Sequence, residues 1–209
     1  MDTLASVHDT LDYIEDRWRD ADRRTLRYAF AELASGHLVP PDRLAEISAT
    51  TAEHVQRALM SGPVGVDDNG NLNELFGVML DATLHRVEVG GRAIYACCAL
   101  VAHCVPIILD EPVRLESTDP VTRRLVKLEL DASGVRKGGD AVRACFPTPP
   151  AGPDLDSVRQ AFCSHIQYFA DAEAATDFAS QGARRRVVTP GEMHELAVAT
   201  VSRLWSQTA

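Results

Sequence analysis

Three of the five cysteines in this 209-residue chain fall in two short segments far apart in sequence, Tyr95-Ala96-Cys97-Cys98-Ala99-Leu100 and Phe162-Cys163-Ser164-His165. Thiols gathered from distant positions form a soft-metal site or a nucleophilic and redox pair, whereas an isolated buried thiol packs as a small hydrophobe. The chemistry open to this chain therefore depends on whether those cysteines meet. Two sulfurs that hold one metal at about 2.3 Å each must lie within about 5 Å of one another. A structural zinc site is not indicated, because the chain has no Cys-x-x-Cys pair.

The neighbouring residues carry competing readings. Cys97 lies in an apolar run, where a free thiol packs, and also stands beside Cys98 as a potential substrate contact. Cys104 shares a helical face with Cys97 and Val101, and Cys145 sits in the alternating Val142-Arg143-Ala144-Cys145-Phe146; both read as core. His103 in its apolar run and His165, two residues past Cys163, read as structural rather than as proton shuttles. Asp119 in Ser117-Thr118-Asp119-Pro120 has the setting of a turn residue, and Arg184-Arg185-Arg186 that of solvated surface.

The elements that must position these groups change character near residue 80. Leu11, Ile14 and Trp18, then Leu26, Ala29, Phe30 and Leu33, recur at helical spacing and predict a helical hairpin ended near Gly36. Pro40-Pro41 opens a third helix through Ile47, and Thr50-Thr51-Ala52-Glu53 reads as a capping box for a fourth. The Asn69-Gly70 turn then stands where the wing of a winged helix would be, so residues 1–80 read as a winged-helix-like unit. Residues 81–209 read as a small, mainly antiparallel sheet with flanking helices: strands at Leu84–Val89, Val113–Leu115 and Leu125–Leu130, and a turn at Gly90-Gly91. Val158, Phe162, Ile166 and Phe169 predict a helix over Ser157–Phe169, and Pro147–Pro153 a loop. Thr189-Pro190-Gly191-Glu192 caps a last helix. The fold class is α+β.

Composition narrows the partners. Lys plus Arg is 21 against 30 Asp plus Glu, a net charge of −9 that repels a phosphate backbone. The Thr51–Met60 helix offers only His54, Gln56 and Arg57 toward base edges, so nucleic acid is not expected as a partner. No apolar run approaches the roughly 20 residues of a membrane span, and Met1–Tyr13 lacks the pattern of a signal peptide, so the expected setting is the cytoplasm with no membrane partner. An odd number of cysteines at irregular spacing argues against a disulfide framework.

Arg92-Ala93-Ile94-Tyr95-Ala96-Cys97-Cys98-Ala99-Leu100, Val158-Arg159-Gln160-Ala161-Phe162-Cys163-Ser164-His165 and Thr176-Asp177-Phe178-Ala179-Ser180 together resemble the alkylmercury (organomercurial) lyase family. The resemblance extends upstream through Asp68-Asn69-Gly70-Asn71 and Leu84–Val89. It implies a winged-helix-like N-terminal part, a sheet-based core, and protonolytic cleavage of carbon–mercury bonds by two thiolates and one aspartate, with no cofactor required. Soft thiolates take the soft metal, and an acid protonates the departing carbon. Cys98 and Cys163 match the two thiol positions and become the expected catalytic and metal-binding pair, with Tyr95, Cys97 and Val101 as substrate contacts. Val101 stands where the family has its aspartate and neither relays a proton nor ligates a metal. Asp119 aligns with a further thiol of some members and is the candidate displaced acid.

The implied activity is a lyase weakened or altered by that loss, acting on a small organomercurial and leaving mercury(II) as product or ligand. The alternatives are a non-catalytic trap for a soft ion such as mercury or copper, and a repurposed enzyme acting on a non-mercury substrate in a biosynthetic pathway.

Overall fold

The computed structural model describes residues 12, 22–60, 64–147, 162–181 and 185–205. The expected first helix with Leu11, Ile14 and Trp18, and the loop beyond Pro147, lie outside the described residues. Among the described residues from 22 onward, three helices come first: α1 (Arg23–Leu33), α2 (Pro41–Ser48) and α3 (Ala52–Met60). The cap of α3 is one residue later than the capping-box reading, since the Thr51 hydroxyl accepts from the His54 N–H at 3.1 Å. Either threonine has the right side chain, and the backbone path selects Thr51.

Eight strands form one antiparallel sheet in the order β1-β2-β3-β5-β4-β6-β7-β8. They are β1 (Val64–Val66), β2 (Leu72–Leu75), β3 (Val78–Met79), β4 (His85–Val89), β5 (Arg92–Ala96), β6 (Val113–Thr118), β7 (Leu125–Asp131) and β8 (Gly134–Lys137). Because β3 pairs with β5, the sheet is continuous across residue 80. Period-two alternation sets the register: Val87 faces Leu115, which faces Leu128, and Val89, Val113 and Leu130 repeat the pattern one rung on. All six are buried, so one face of the sheet is core.

Helix α4 (Ala99–Leu109) is apolar apart from His103, with Ala99 to Pro106 buried, as suits a helix enclosed by other elements. It packs against α6 (Pro190–Trp205) and against β4 to β7. A second sheet, β10-β9-β11, comprises β9 (Arg143–Pro147), β10 (Tyr168–Phe169) and β11 (Arg185–Val188), covered by α5 (Ala172–Ser180). At the end of α6, Trp205 stacks edge-on against Phe30 at 5.7 Å and Phe76 at 5.9 Å, tying the N-terminal helices to the main sheet.

Two expectations are corrected. The described part of the Ser157–Phe169 helix is a 3₁₀ turn (Cys163–His165) running into β10, and residues 157–161 lie outside the described residues. Its backbone is used elsewhere: the Ile166 carbonyl accepts from Ala99 and the Gln167 carbonyl from Cys145. Arg185 and Arg186 are not solvated surface but lie partly covered in β11, Arg185 4.4 Å over the Phe178 ring and Arg186 5.3 Å over the Phe146 ring. Arg184 lies outside the described residues.

The box at the start of α6 is complete: Thr189 N–H donates to Glu192 Oε2 at 2.7 Å and Glu192 N–H to Thr189 Oγ1 at 3.2 Å. Thr189→Ala should lower stability by about 0.5–2 kcal/mol, measured as the midpoint of urea unfolding.

Candidate functional site

The strand-to-helix junction between β5 and α4 carries Cys97 and Cys98. Cys98 is the N-cap residue of α4, extended at φ −159°, ψ 168°, with its carbonyl accepting from Ala102 at 3.1 Å. The Cys97 N–H donates to Gly77 O at 2.7 Å, and the Ala99 N–H donates to Ile166 O at 2.9 Å. The second of these bonds draws the 3₁₀ turn against the start of α4. The sulfurs of Cys97, Cys98 and Cys163 consequently lie within 4.8 Å of one another. The expected convergence of Cys98 and Cys163 is met, and Cys97 joins them.

The three thiols differ in access. Cys98 is 1% exposed, whereas Cys97 and Cys163 are half-buried. Hydrogen bonding with Cys163 and burial raise the Cys97 and Cys98 thiols well above their ordinary value. The Val101 backbone N–H at the start of α4 opposes this at Cys98 by favouring the thiolate. Cys97 and Cys98 are therefore protonated at rest, and a soft metal must displace a proton to bind either of them.

The turn joining β2 and β3 closes over the cluster. Phe76 (φ 55°) and Gly77 (φ 74°) both adopt left-handed conformations, as a two-residue hairpin turn of this type requires. A Cβ on Gly77 would come 2.5 Å from Cys97 Sγ and 3.1 Å from Val101 Cγ2, so the glycine backbone fits directly against the sulfur. Val101 is buried and adds an apolar wall. Beside the thiols lies a cavity of about 420 Å³ whose lining includes Cys97, Leu84, Pro120, Phe178, His85 and Gln167.

Asp119 does not have the surroundings of a proton donor. Its Oδ1 accepts from Val121 N–H at 2.8 Å and Thr122 N–H at 3.0 Å, and its Oδ2 from Ala170 N–H at 2.9 Å. Burial alone would raise its pKa, but the amides of Ala170, Thr122 and Val121 outweigh burial and hold it below the usual carboxylate range. It anchors the β6–β7 connection to the segment after β10. Tyr95 is paired in register with Arg86 and Met79 and alternates with buried Ile94 and Ala96, so it points to the sheet face opposite α4.

Both discussed histidines are structural. His165 Nδ1 accepts from Arg185 at 2.8 Å, and burial together with the Arg185 charge lowers its pKa. His103 Nδ1 lies 3.3 Å from His194 Nδ1 between α4 and α6, and burial pushes its pKa to about 3. Cys145 is core, its thiol donating to Ala175 O at 3.3 Å.

Sequence reasoning missed three nearby residues. Gly77 is marked in sequence only as a lone glycine between apolar residues. His85 is marked by a polar side chain at an inward strand position ahead of Val87 and Val89; burial pushes its pKa to about 4, and its Nδ1 lies 2.8 Å from Ser117 Oγ. Tyr168, fully buried, has no hydrogen-bond partner for its hydroxyl among the described residues, and its pKa is raised by burial and by Cys98. No local signal marks it.

A family model described as alkylmercury lyase matches residues 80–202. The chain is 29% identical over 165 residues to an alkylmercury lyase of Staphylococcus epidermidis, covering 78% of this chain and 75% of that protein. It is 30% identical over 151 residues to one of Pseudomonas putida, covering 71% and 69%. Among solved structures, the crystal structure of the mercury-bound form of MerB2 matches with a TM-score of 0.75 at 15% identity, over 94% of this chain and 99% of that one, a likeness of fold.

Two outcomes follow from this geometry. Gly77→Ala should cost about 1–3 kcal/mol through its left-handed backbone and move the Cys97 sulfur, seen as a changed rate of reaction with a thiol-specific probe. Asp119→Asn should lose about 1.5–3 kcal/mol of charge-assisted hydrogen bonding. Because the folded pKa of Asp119 is depressed, its contribution is present above the unfolded value near 3.8 and fades as pH falls below it. The difference between wild type and Asp119→Asn in urea midpoint should therefore be larger at neutral pH than at pH of about 3.

Proposed function

The chain belongs to the alkylmercury lyase family, and we propose that this enzyme breaks carbon–mercury bonds with Cys98 and Cys163 as its two mercury-binding thiolates. The observation that supports this most directly is the meeting of three sulfurs within 4.8 Å from segments more than sixty residues apart. Half-buried Cys163 meets the incoming metal, and buried Cys98 completes its capture at the start of α4, where the Val101 N–H favours the thiolate. Electron donation from two soft sulfurs weakens the metal–carbon bond, and protonation releases the organic group as a hydrocarbon. The cavity beside Cys97 offers Leu84, Pro120 and Phe178 as an apolar receptacle for that group. The chemistry needs no cofactor, and mercury(II) remains as product.

Residues 1–80 act in this reading as a winged-helix-like scaffold that carries the β2–β3 turn, and the core beyond residue 80 supplies the thiols. The net charge of −9 supports a small-molecule partner over nucleic acid. Among the described residues no helix is long and apolar enough to cross a membrane. The undisulfided thiols suit a reducing cytoplasm. Val101 favours a second reading, a trap that keeps mercury(II) without turnover.

Incubation with phenylmercury separates these readings: a lyase releases benzene and a trap does not. Cys98→Ser and Cys163→Ser should each lose capture and turnover by more than the roughly 10–100-fold cost of removing a mere supporting partner of a metal ligand. Unchanged benzene release in both variants would end the two-thiolate assignment.

A further inference from the structure

We propose that Cys97 donates the proton that releases the organic group and then becomes the third sulfur around the mercury product. This inference rests on the lyase reading above and assigns the acid which that reading leaves open. Position 101 carries a valine side chain, and both carboxylate oxygens of Asp119 are committed to backbone amides. Cys97 meets both geometric requirements of a donor: its sulfur lies within 4.8 Å of those of Cys98 and Cys163, and its side chain lines the cavity of about 420 Å³ alongside Leu84, Pro120 and Phe178. A mercury atom held by Cys98 and Cys163 with its organic group in that cavity presents its carbon to the Cys97 S–H.

The sulfur is also held in place. The Cys97 N–H is bonded to Gly77 O at 2.7 Å, and the space a Cβ would fill on Gly77 is occupied by Cys97 Sγ and Val101 Cγ2. Val101 borders the same space as an apolar neighbour. A preorganised donor in such a site has little reorganisation to undergo at the moment of transfer.

The step balances. The Cys163 thiol exchanges with the incoming RHgX, forming an S–Hg bond and releasing HX. Cys98 binds next, losing its proton to solvent. The Hg–C electron pair then takes the proton of Cys97, RH departs, and the Cys97 thiolate occupies the vacated coordination position. Mercury stays divalent throughout, so no oxidant or reductant is required. Three sulfurs around one ion at bonds of about 2.3 Å or longer sit about 4 Å or more apart, a spacing compatible with the cluster.

The test uses phenylmercury and mercury(II) as probes on the full chain. Cys97→Ala should still form a one-to-one phenylmercury adduct by mass, yet release benzene about 10²- to 10⁴-fold more slowly in a single turnover, the usual worth of a positioned acid. X-ray absorption on the mercury(II) complex should count three sulfurs in wild type and two in Cys97→Ala. Benzene release from Cys97→Ala at the wild-type rate would overturn the proposal, as would two sulfurs in the wild-type complex, a measurement that needs no variant to fold. Loss of release in Tyr168→Phe with Cys97→Ala fully active would overturn it in favour of the buried hydroxyl. A wild type that binds phenylmercury and releases no benzene would sink the lyase reading itself, a result distinct from a fast Cys97→Ala.

Discussion

The bond between the Ala99 N–H and the Ile166 carbonyl determines whether this molecule has a site at all. A backbone hydrogen bond contributes only about 0.5–1.5 kcal/mol net, but this one joins the first residue of α4 to the segment that carries Cys163. It makes a partner of an N–H that the helix itself leaves unsatisfied. Around it the Cys97–Gly77 bond fixes the other flank of the junction, and the interior position of β5 between β3 and β4 keeps the junction from drifting. Three thiols, each a weak hydrogen-bonding group, do not assemble such an arrangement by their own attraction.

Burial of the cluster has an electrostatic consequence that runs against the usual expectation for a helix N-terminus. An isolated cysteine there is acidified, yet Cys98 is driven the other way by Cys163 and by the lack of water. The helix end limits the effect without reversing it. The resting protein thus holds Cys97 and Cys98 as neutral thiols, and a thiophilic cation supplies the charge that makes their ionisation favourable.

Much of the fold was legible because its signals are local. Alternation in Leu84–Val89 and Leu125–Leu130, the Asn69-Gly70 turn and the Thr189–Glu192 box each act within a few residues, and each appears in the structure. The meeting of Cys98 with Cys163 was legible only through two motifs judged together. Phe162, Ile166 and Phe169 are spaced like a helix, but tertiary carbonyl contacts claim the backbone and leave a 3₁₀ turn. Asp119 was legible as a turn residue, whereas its reach to Ala170 was not, because that amide is 51 residues away. Tyr95 was placed over the site by its nearness in sequence, and strand alternation turned it to the opposite face.

The His103–His194 contact orders the hydrogens along the α4–α6 seam. His194 Nε2 lies 3.2 Å from the Ala132 carbonyl, which only accepts, so that nitrogen carries the hydrogen. In a neutral ring His194 Nδ1 is then bare, and the facing His103 Nδ1, 3.3 Å away, must donate. His103 Nε2 is left as an unshared lone pair, buried and without a partner among the described residues. A single tautomer sequence therefore runs from α4 through α6 to the β7–β8 turn, each ring dictating the next. One hydrogen thus serves both facing nitrogens, and burial, which keeps His103 uncharged, preserves that single arrangement along the seam that supports the thiol-bearing helix.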